Sequence, residues 1–346
     1  MHQTFSRDIT MNSGIFRLLA GVKVNFAWFA FFGFFSSVWC GETFTFTDKL
    51  NRRVTLNIPV KRAVLLTGAD LLPITGAWNR VVGISNGSSE ENDLLKAVRP
   101  DLETLIPAVG SNRNVNIEML MKLNPDIVLT WSFNPEIINY LEKKKVPVIA
   151  VFPESITELY EVMRLHGKIF DGSAGIESTI EQMEKIFTLI KTGTADIKPE
   201  QRKKALWLFG KPTRIAGRDG IYGDVLALTG QQNLGAAIPR HYADTSLEQI
   251  ALWNPEVIYI WGRSRYSAAD ILNNRQWRHI EAVKNKRVFK SPQWDTWSPR
   301  LAPLALWMAA AVYPEQFKGV DINGAIERFF REVYKISYED VRQIEN

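Results

Sequence analysis

Hydrophobic and polar positions change period several times along the chain, and each change marks an element. Residues 44–58, "FTFTDKLNRRVTLNI", alternate apolar and polar side chains on both flanks of a polar turn. A period of two marks half-buried strands, so this stretch predicts a hairpin, with Asn51 where a positive φ is wanted. "RAVLLTG" and "RVVGIS" are apolar runs that predict buried strands, separated by a short helix "ADLLPITGAW" ending near Gly76. From Asn116 the period becomes helical. Ile117, Leu120, Met121 and Leu123 share one face, Asn116 can cap it, and Asn124-Pro125 stops it, because a residue before proline is pushed out of the α region. "DIVLTW" and "VPVIAVF" are the following strands, with the helix "PEIINYLEKKK" between them. Strand and helix alternating at this spacing predict a mainly parallel sheet with helices on both faces.

From Ser155 the pattern turns helical through "SITELYEVMRLHGKIF", breaks at "DGSAG", and resumes as "IESTIEQMEKIFTLIKT". A second half then replays the first: strand "ALWLFG", the glycine-punctuated "KPTRIAGRDGIYG", helix "DVLALTG" and strand "KRVFKSP". Two more helices, "LAPLALWMAAAVYP" and "INGAIERFFREVY", close the chain.

The replay is literal in one place. "NIEMLMKLNPDIVLTW" (116–131) and "SLEQIALWNPEVIYIW" (246–261) align without a gap at an offset of 130, identical at Glu118/Glu248, Asn124/Asn254, Pro125/Pro255 and Trp131/Trp261. A helix–stop–strand unit used once in each half predicts two Rossmann-like α/β lobes with mainly parallel sheets, joined by one long helix. Two such lobes joined once leave a cleft between them, the usual home of a ligand. The expected boundaries are 1–40 for a leader, 43–170 for the N-terminal lobe, 171–198 for the connecting helix and 203–346 for the C-terminal lobe.

The 346 residues, 46% hydrophobic and 23% charged, suffice for two domain-sized cores. The formal charge is +5, and without residues 1–40 it falls to +3. With no basic run and no aromatic–basic stripe, that excess gives no argument for nucleic acid. A positive segment ending at Lys23, then the apolar "FAWFAFFGFFSSVWC", then polar "GETFTFTD" reads as a secretory signal peptide and predicts a periplasmic protein. Cleavage after Cys40 is expected over lipidation of Cys40, because Trp39 fits a lipoprotein signal poorly. Cys40 is the only cysteine, so disulfides, thiolate metal sites and cysteine nucleophiles drop out of the mature chain.

Catalytic signatures are missing. There is no G-x-x-x-x-G-K-S/T loop, no G-x-G-x-x-G after a strand, no G-x-S-x-G elbow and no histidine pair at metal spacing. The sequence predicts a binding protein, with a two-lobed nucleotide-sugar enzyme as the rival from another class. What stands out is aromatic and arginine side chains at strand ends and in the loops after them, the positions that line a cleft in a parallel sheet. Trp131 closes the first repeated strand. "IPRHYADT" offers Arg240, His241 and Tyr242; "PQWDTWSPR" offers Trp294, Trp297 and Arg300; "GSNRN" offers Asn112 and Arg113; "KPTRIAG" offers Arg214. Aromatic walls suit a large flat or greasy ligand and arginines an anionic one, so the set predicts an anionic metal chelate or macrocycle, with no resident cofactor.

The leader, the "TDKLNRRVTL" hairpin, the "IEMLMKLNPDIVL" unit and the helical connector together resemble the substrate-binding proteins of ABC importers, in the class with a rigid inter-lobe helix. The resemblance covers residues 43–335 and implies a monomeric receptor that captures an iron-siderophore-type chelate and hands it to an inner-membrane permease. Corrinoid, haem and an oxyanion such as molybdate are the alternative ligands within the class. It implies further that Glu118 and Glu248 dock on permease arginines, that Trp131 and Tyr242 are pocket positions, and that Ser298-Pro299-Arg300 belongs to the pocket. Glu in a first helical turn is also favoured by the helix dipole alone, by about 0.3–1 kcal/mol. His241 falls where some siderophore binders place a metal-coordinating histidine, but "QWDTW" stands where its tyrosine partner would be. The chain departs from the cobalamin-binding pattern too, with "GSNRN" in place of a tryptophan before the first repeated helix.

Overall fold

The computed structural model describes residues 42–111 and 114–344. The proposed leader with Cys40, and Asn112 and Arg113, lie outside the described residues. Strands Glu42–Thr47 and Arg53–Ile58 form the antiparallel hairpin, turned at Asn51 with φ 59°. The Asp48 carboxylate ties the turn by accepting from the backbone N–H groups of Leu50 and Arg52, both at 3.0 Å.

The N-terminal lobe is a four-stranded parallel sheet in the order Val81–Ile84, Ala63–Leu65, Ile127–Trp131, Val148–Val151. Its two central strands are fully buried, as their unbroken apolar sequence requires. The C-terminal lobe has its own six-stranded sheet. Lys203–Phe209 and Val257–Ile260 are central and parallel, with Val288–Lys290 parallel beyond them. On the other flank Gln231–Asn233 runs parallel to Lys203–Phe209, while Arg214–Ala216 pairs antiparallel with both Lys203–Phe209 and Tyr242–Asp244. The hydrophobic pattern does not announce Arg214–Ala216 or Tyr242–Asp244. Each is three residues long beside glycines or a proline, and each exists by pairing with a neighbour, so the sheet is less uniformly parallel than expected.

Both copies of the repeat fold as read. Asn116 accepts from Met119 N–H at 2.9 Å to cap Ile117–Lys122, and Ser246 accepts from Gln249 N–H at 3.1 Å to cap Leu247–Trp253. Both helices stop at an asparagine in the left-handed region, Asn124 at φ 45° and Asn254 at φ 46°. Asparagine tolerates that conformation better than other non-glycine residues, which explains why both copies carry Asn before Pro.

Ser155 caps the helix Ile156–Phe170, Asp171 ends it at φ 58°, and the 22-residue helix Ser173–Thr194 follows. Its buried stripe Ile176, Ile180, Met183, Ile186, Phe187 and Ile190 joins one core with Leu71 and Leu94 of the first lobe and Trp207, Leu304 and Met308 of the second. Each such side chain contributes about 1.5–3 kcal/mol on full burial, so this helix is packed into both lobes along its length. No helix among the described residues is long and apolar enough to cross a membrane.

Candidate functional site: an aromatic cleft

The ends of the repeated strands open on a cleft of about 800 Å³. Trp131, Phe133 and Phe152 wall it from the N-terminal lobe; Tyr242, Trp261 and Trp297 wall it from the other. Trp131 meets Trp297 edge-on with ring centroids 5.1 Å apart, and Phe152 stands 5.4 Å from Trp297. The Trp297 indole N–H donates to the Pro153 carbonyl at 3.1 Å, fixing that ring against the first lobe. Arg214 lies over the Tyr242 ring at 5.2 Å. The Tyr242 hydroxyl bonds the Tyr222 hydroxyl, and burial pushes the Tyr242 phenol up to about 12.

The charged lining is mixed. Arg214, Arg263 and His241 face it together with Asp295 and Glu136. His241 Nε2 is 3.1 Å from Glu154 across the lobe boundary, and its Nδ1 is buried without a partner. Glu154 is held from its other side by Lys49 at 2.5 Å. Metal contact through His241 Nε2 would therefore require release from Glu154.

Of the residues singled out in the sequence, the structure brings Trp131, Arg214, His241, Tyr242 and Trp297 together on this cleft. Three others go elsewhere. Trp294 is 2% exposed and packs on Phe330 and Tyr338 in the C-terminal core, so it does not line the cleft. Arg300 is fully buried: its guanidinium meets Asp70 at 3.1 Å and Asp93 at 2.6 Å, both from the first lobe. It is a cross-lobe clamp and has no path to a ligand's charge. Arg240 is exposed on the loop before Tyr242 and is not on the cleft wall. Proximity in sequence to a cleft strand misled in each case: the segment 293–300 alternates between cleft and core, and Arg240 precedes the cleft strand with its side chain exposed.

A profile described as "Periplasmic binding protein" matches residues 63–293. The chain belongs to the periplasmic binding protein family. Members of this family bind substrates for ABC transporters, and the relatives differ in what they carry. The molybdate-binding protein MolA of Haemophilus influenzae is 29% identical over 322 residues, spanning 85% of this chain and 91% of that protein. Its structure with molybdate superposes with a TM-score of 0.75 at 25% identity, covering 85% of this chain and 99% of that one. CeuE of Helicobacter pylori in a Ni-His complex superposes with a TM-score of 0.79 at 30% identity, covering 87% and 99%.

Cleft residues of this family member that escaped the sequence reading include Phe133, Trp261 and Arg263, and also Glu136, Phe152 and Asp295. The repeat carried a signal for the first three. At its offset of 130, Trp131 maps to Trp261 and Phe133 maps to Arg263, and all four line the cleft. The two lobes thus present equivalent positions to one another, which the aligned tryptophans already implied. Glu136, Phe152 and Asp295 carried no such mark.

Proposed function

We propose that this protein is a periplasmic receptor of an ABC importer that captures an iron-siderophore-type metal chelate between its lobes and delivers it to the permease. The observation that supports this reading is the size and lining of the cleft: about 800 Å³ walled by six aromatic rings, with two arginines facing it. A tetrahedral oxyanion would fill a small part of that space and leave the rings without work, whereas a chelate packs its faces on them and neutralises its charge on Arg214 and Arg263. The MolA relationship favours molybdate as the second reading. Titration of intrinsic tryptophan fluorescence decides between them. Ferric chelates are expected to quench saturably, since Trp131, Trp261 and Trp297 all face the ligand. A flat response to ferric siderophores, haem and cobalamin alongside saturation by molybdate would overturn the first reading.

Glu118 and Glu248 are offered as the permease contacts. Both are exposed in the first turns of matched helices. Hydrogen bonds from its own backbone N–H and from Ser246 hold the Glu248 carboxyl below the usual range, so it is charged. Leu252, 78% exposed, stands one turn further along the same helix face as an apolar contact beside that charge. Two exposed carboxylates steer and orient a partner more than they add affinity. Glu118→Arg with Glu248→Arg is expected to cut uptake into proteoliposomes carrying the cognate permease by roughly tenfold or more, while ligand binding in solution stays as in wild type. Unchanged uptake would remove these residues from the docking surface.

A further inference from the structure

Leu252 does nothing for the core of the lobe it belongs to. Leu247, Ile250 and Trp253 carry the inward stripe of the helix Leu247–Trp253 and pack into the C-terminal lobe. Leu252 is 78% exposed, and no other large apolar side chain among the described residues exceeds 50%. Single exposed apolar residues are ordinary on a protein surface, so exposure alone carries no argument. Position does. Leu252 follows Glu248 by four residues, the helical spacing that puts both on one face. At the repeat offset of 130 its counterpart is Lys122, also exposed and four residues after Glu118. The repeat keeps the glutamate and the Asn-Pro stop in both lobes, yet sets a cation here in one lobe and a branched apolar side chain in the other.

The two helix faces are therefore unequal toward a partner. Beside Glu118, the Lys122 ammonium stands at the spacing where opposite charges on a helix attract, and it offsets part of the carboxylate's field. Beside Glu248, the same place is held by a side chain that gains free energy by leaving water. A cation that reaches Glu248 brings its own surroundings down on Leu252. Covering that leucine excludes water from the ion pair next to it, and a charge pair is stronger where the local dielectric is low.

We infer that the lobes grip the permease unequally. Glu248 and Leu252 form the anchor, seated on a cation bordered by an apolar socket. Glu118 with Lys122 meets a polar surface and orients the complex without holding it. The inference rests on the docking reading of the two glutamates above, and adds to it which lobe carries the affinity and what chemistry the permease must present there.

The affinity of the ligand-free receptor for its cognate permease in nanodiscs reads this directly. Leu252→Ser is expected to weaken the complex about tenfold or more, the order that burying one leucine supplies, with its urea midpoint unchanged. Lys122→Ser is expected to stay within about twofold, as an exposed charge at a rim does. Glu248→Gln is expected to cost more than Glu118→Gln. Leu252→Ser combined with Glu248→Gln is expected to lose less than the product of the two single losses, because the apolar cover works through the ion pair beside it. A complex that Leu252→Ser leaves as tight as wild type overturns the unequal grip. So does a Glu118→Gln loss as large as that of Glu248→Gln, or a double variant whose losses simply multiply. Failure of the docking reading itself looks different: Glu118→Gln with Glu248→Gln then binds the permease like wild type, and the anchor falls with it.

Discussion

Arg300→Met is expected to destabilise the protein by about 3–5 kcal/mol, because it strands two carboxylates in the interior. Arg300 enters from the start of the helix Leu301–Val312 and lies between Asp70 and Asp93, all three at 5% exposure or less. Burial alone would raise the Asp70 carboxyl and lower the Arg300 guanidinium. Their mutual attraction reverses both, holding Asp70 below the usual carboxylate range and Arg300 above its own. Removing the guanidinium leaves the cost of burial with nothing against it. Replacing the whole group is a different matter, since apolar or neutral replacements of a buried ionic cluster are often tolerated. Arg300→Met combined with Asp70→Asn and Asp93→Asn should therefore recover most of the loss. Urea unfolding of the single and triple variants checks both halves. A single variant that loses under about 1 kcal/mol, the range of a surface pair, would show that the cluster is hydrated and no clamp.

The clamp also bears on ligand capture. Among the described residues the Arg300 side chain forms ion pairs with the first lobe alone, and five residues before it Asp295 faces the cleft. Between them the Trp297 indole is bonded to Pro153 of the first lobe. The segment 295–300 thus staples the lobes at the cleft floor, in addition to the packed helix Ser173–Thr194. By contrast, the cross-lobe contact of His241 with Glu154 is partly exposed, and it is detachable because Lys49 keeps Glu154 compensated. A fixed floor and a detachable cross-lobe contact suit a receptor that admits its ligand with little rigid-body motion.

The architecture was legible in the sequence because periodicity and punctuation are local. The doubled unit with its caps, its Asn-Pro stops and its buried strands could be placed from residues 116–131 and 246–261 alone. The strands Arg214–Ala216 and Tyr242–Asp244 were not legible, since three residues carry no period and their pairing is a tertiary event. The site was half legible for a related reason. Aromatic residues at strand ends point into the cleft by sheet geometry, which is why Trp131 and Tyr242 were found. Whether Trp294 or Trp297, and Arg300 or Arg263, faces the cleft depends on how an irregular segment threads between lobes. An arginine bound for two buried aspartates looks the same in sequence as one bound for a ligand.

Acid is expected to expose a second buried group. His166 is 1% exposed on the helix Ile156–Phe170, with its ring against Gly68, where even an added Cβ would come within 2.5 Å of Nε2. Nε2 has no hydrogen-bond partner, and burial lowers the imidazole from 6.5 to about 4. The folded chain therefore keeps His166 neutral at pH values where the unfolded chain protonates it. The stability this difference contributes is fully present above about pH 6.5 and is lost as pH falls toward 4, because the unfolded state binds the extra proton. With the two values separated by about 2.5 units, the loss at pH 4 amounts to about 3 kcal/mol. His166→Leu removes the titrating group, so its urea stability should decline less steeply between pH 6.5 and 4 than that of wild type, whatever its absolute value at neutral pH. Parallel curves for the two proteins across that window would mean that the imidazole takes up its proton in the folded state, and that the ring beside Gly68 is reached by water.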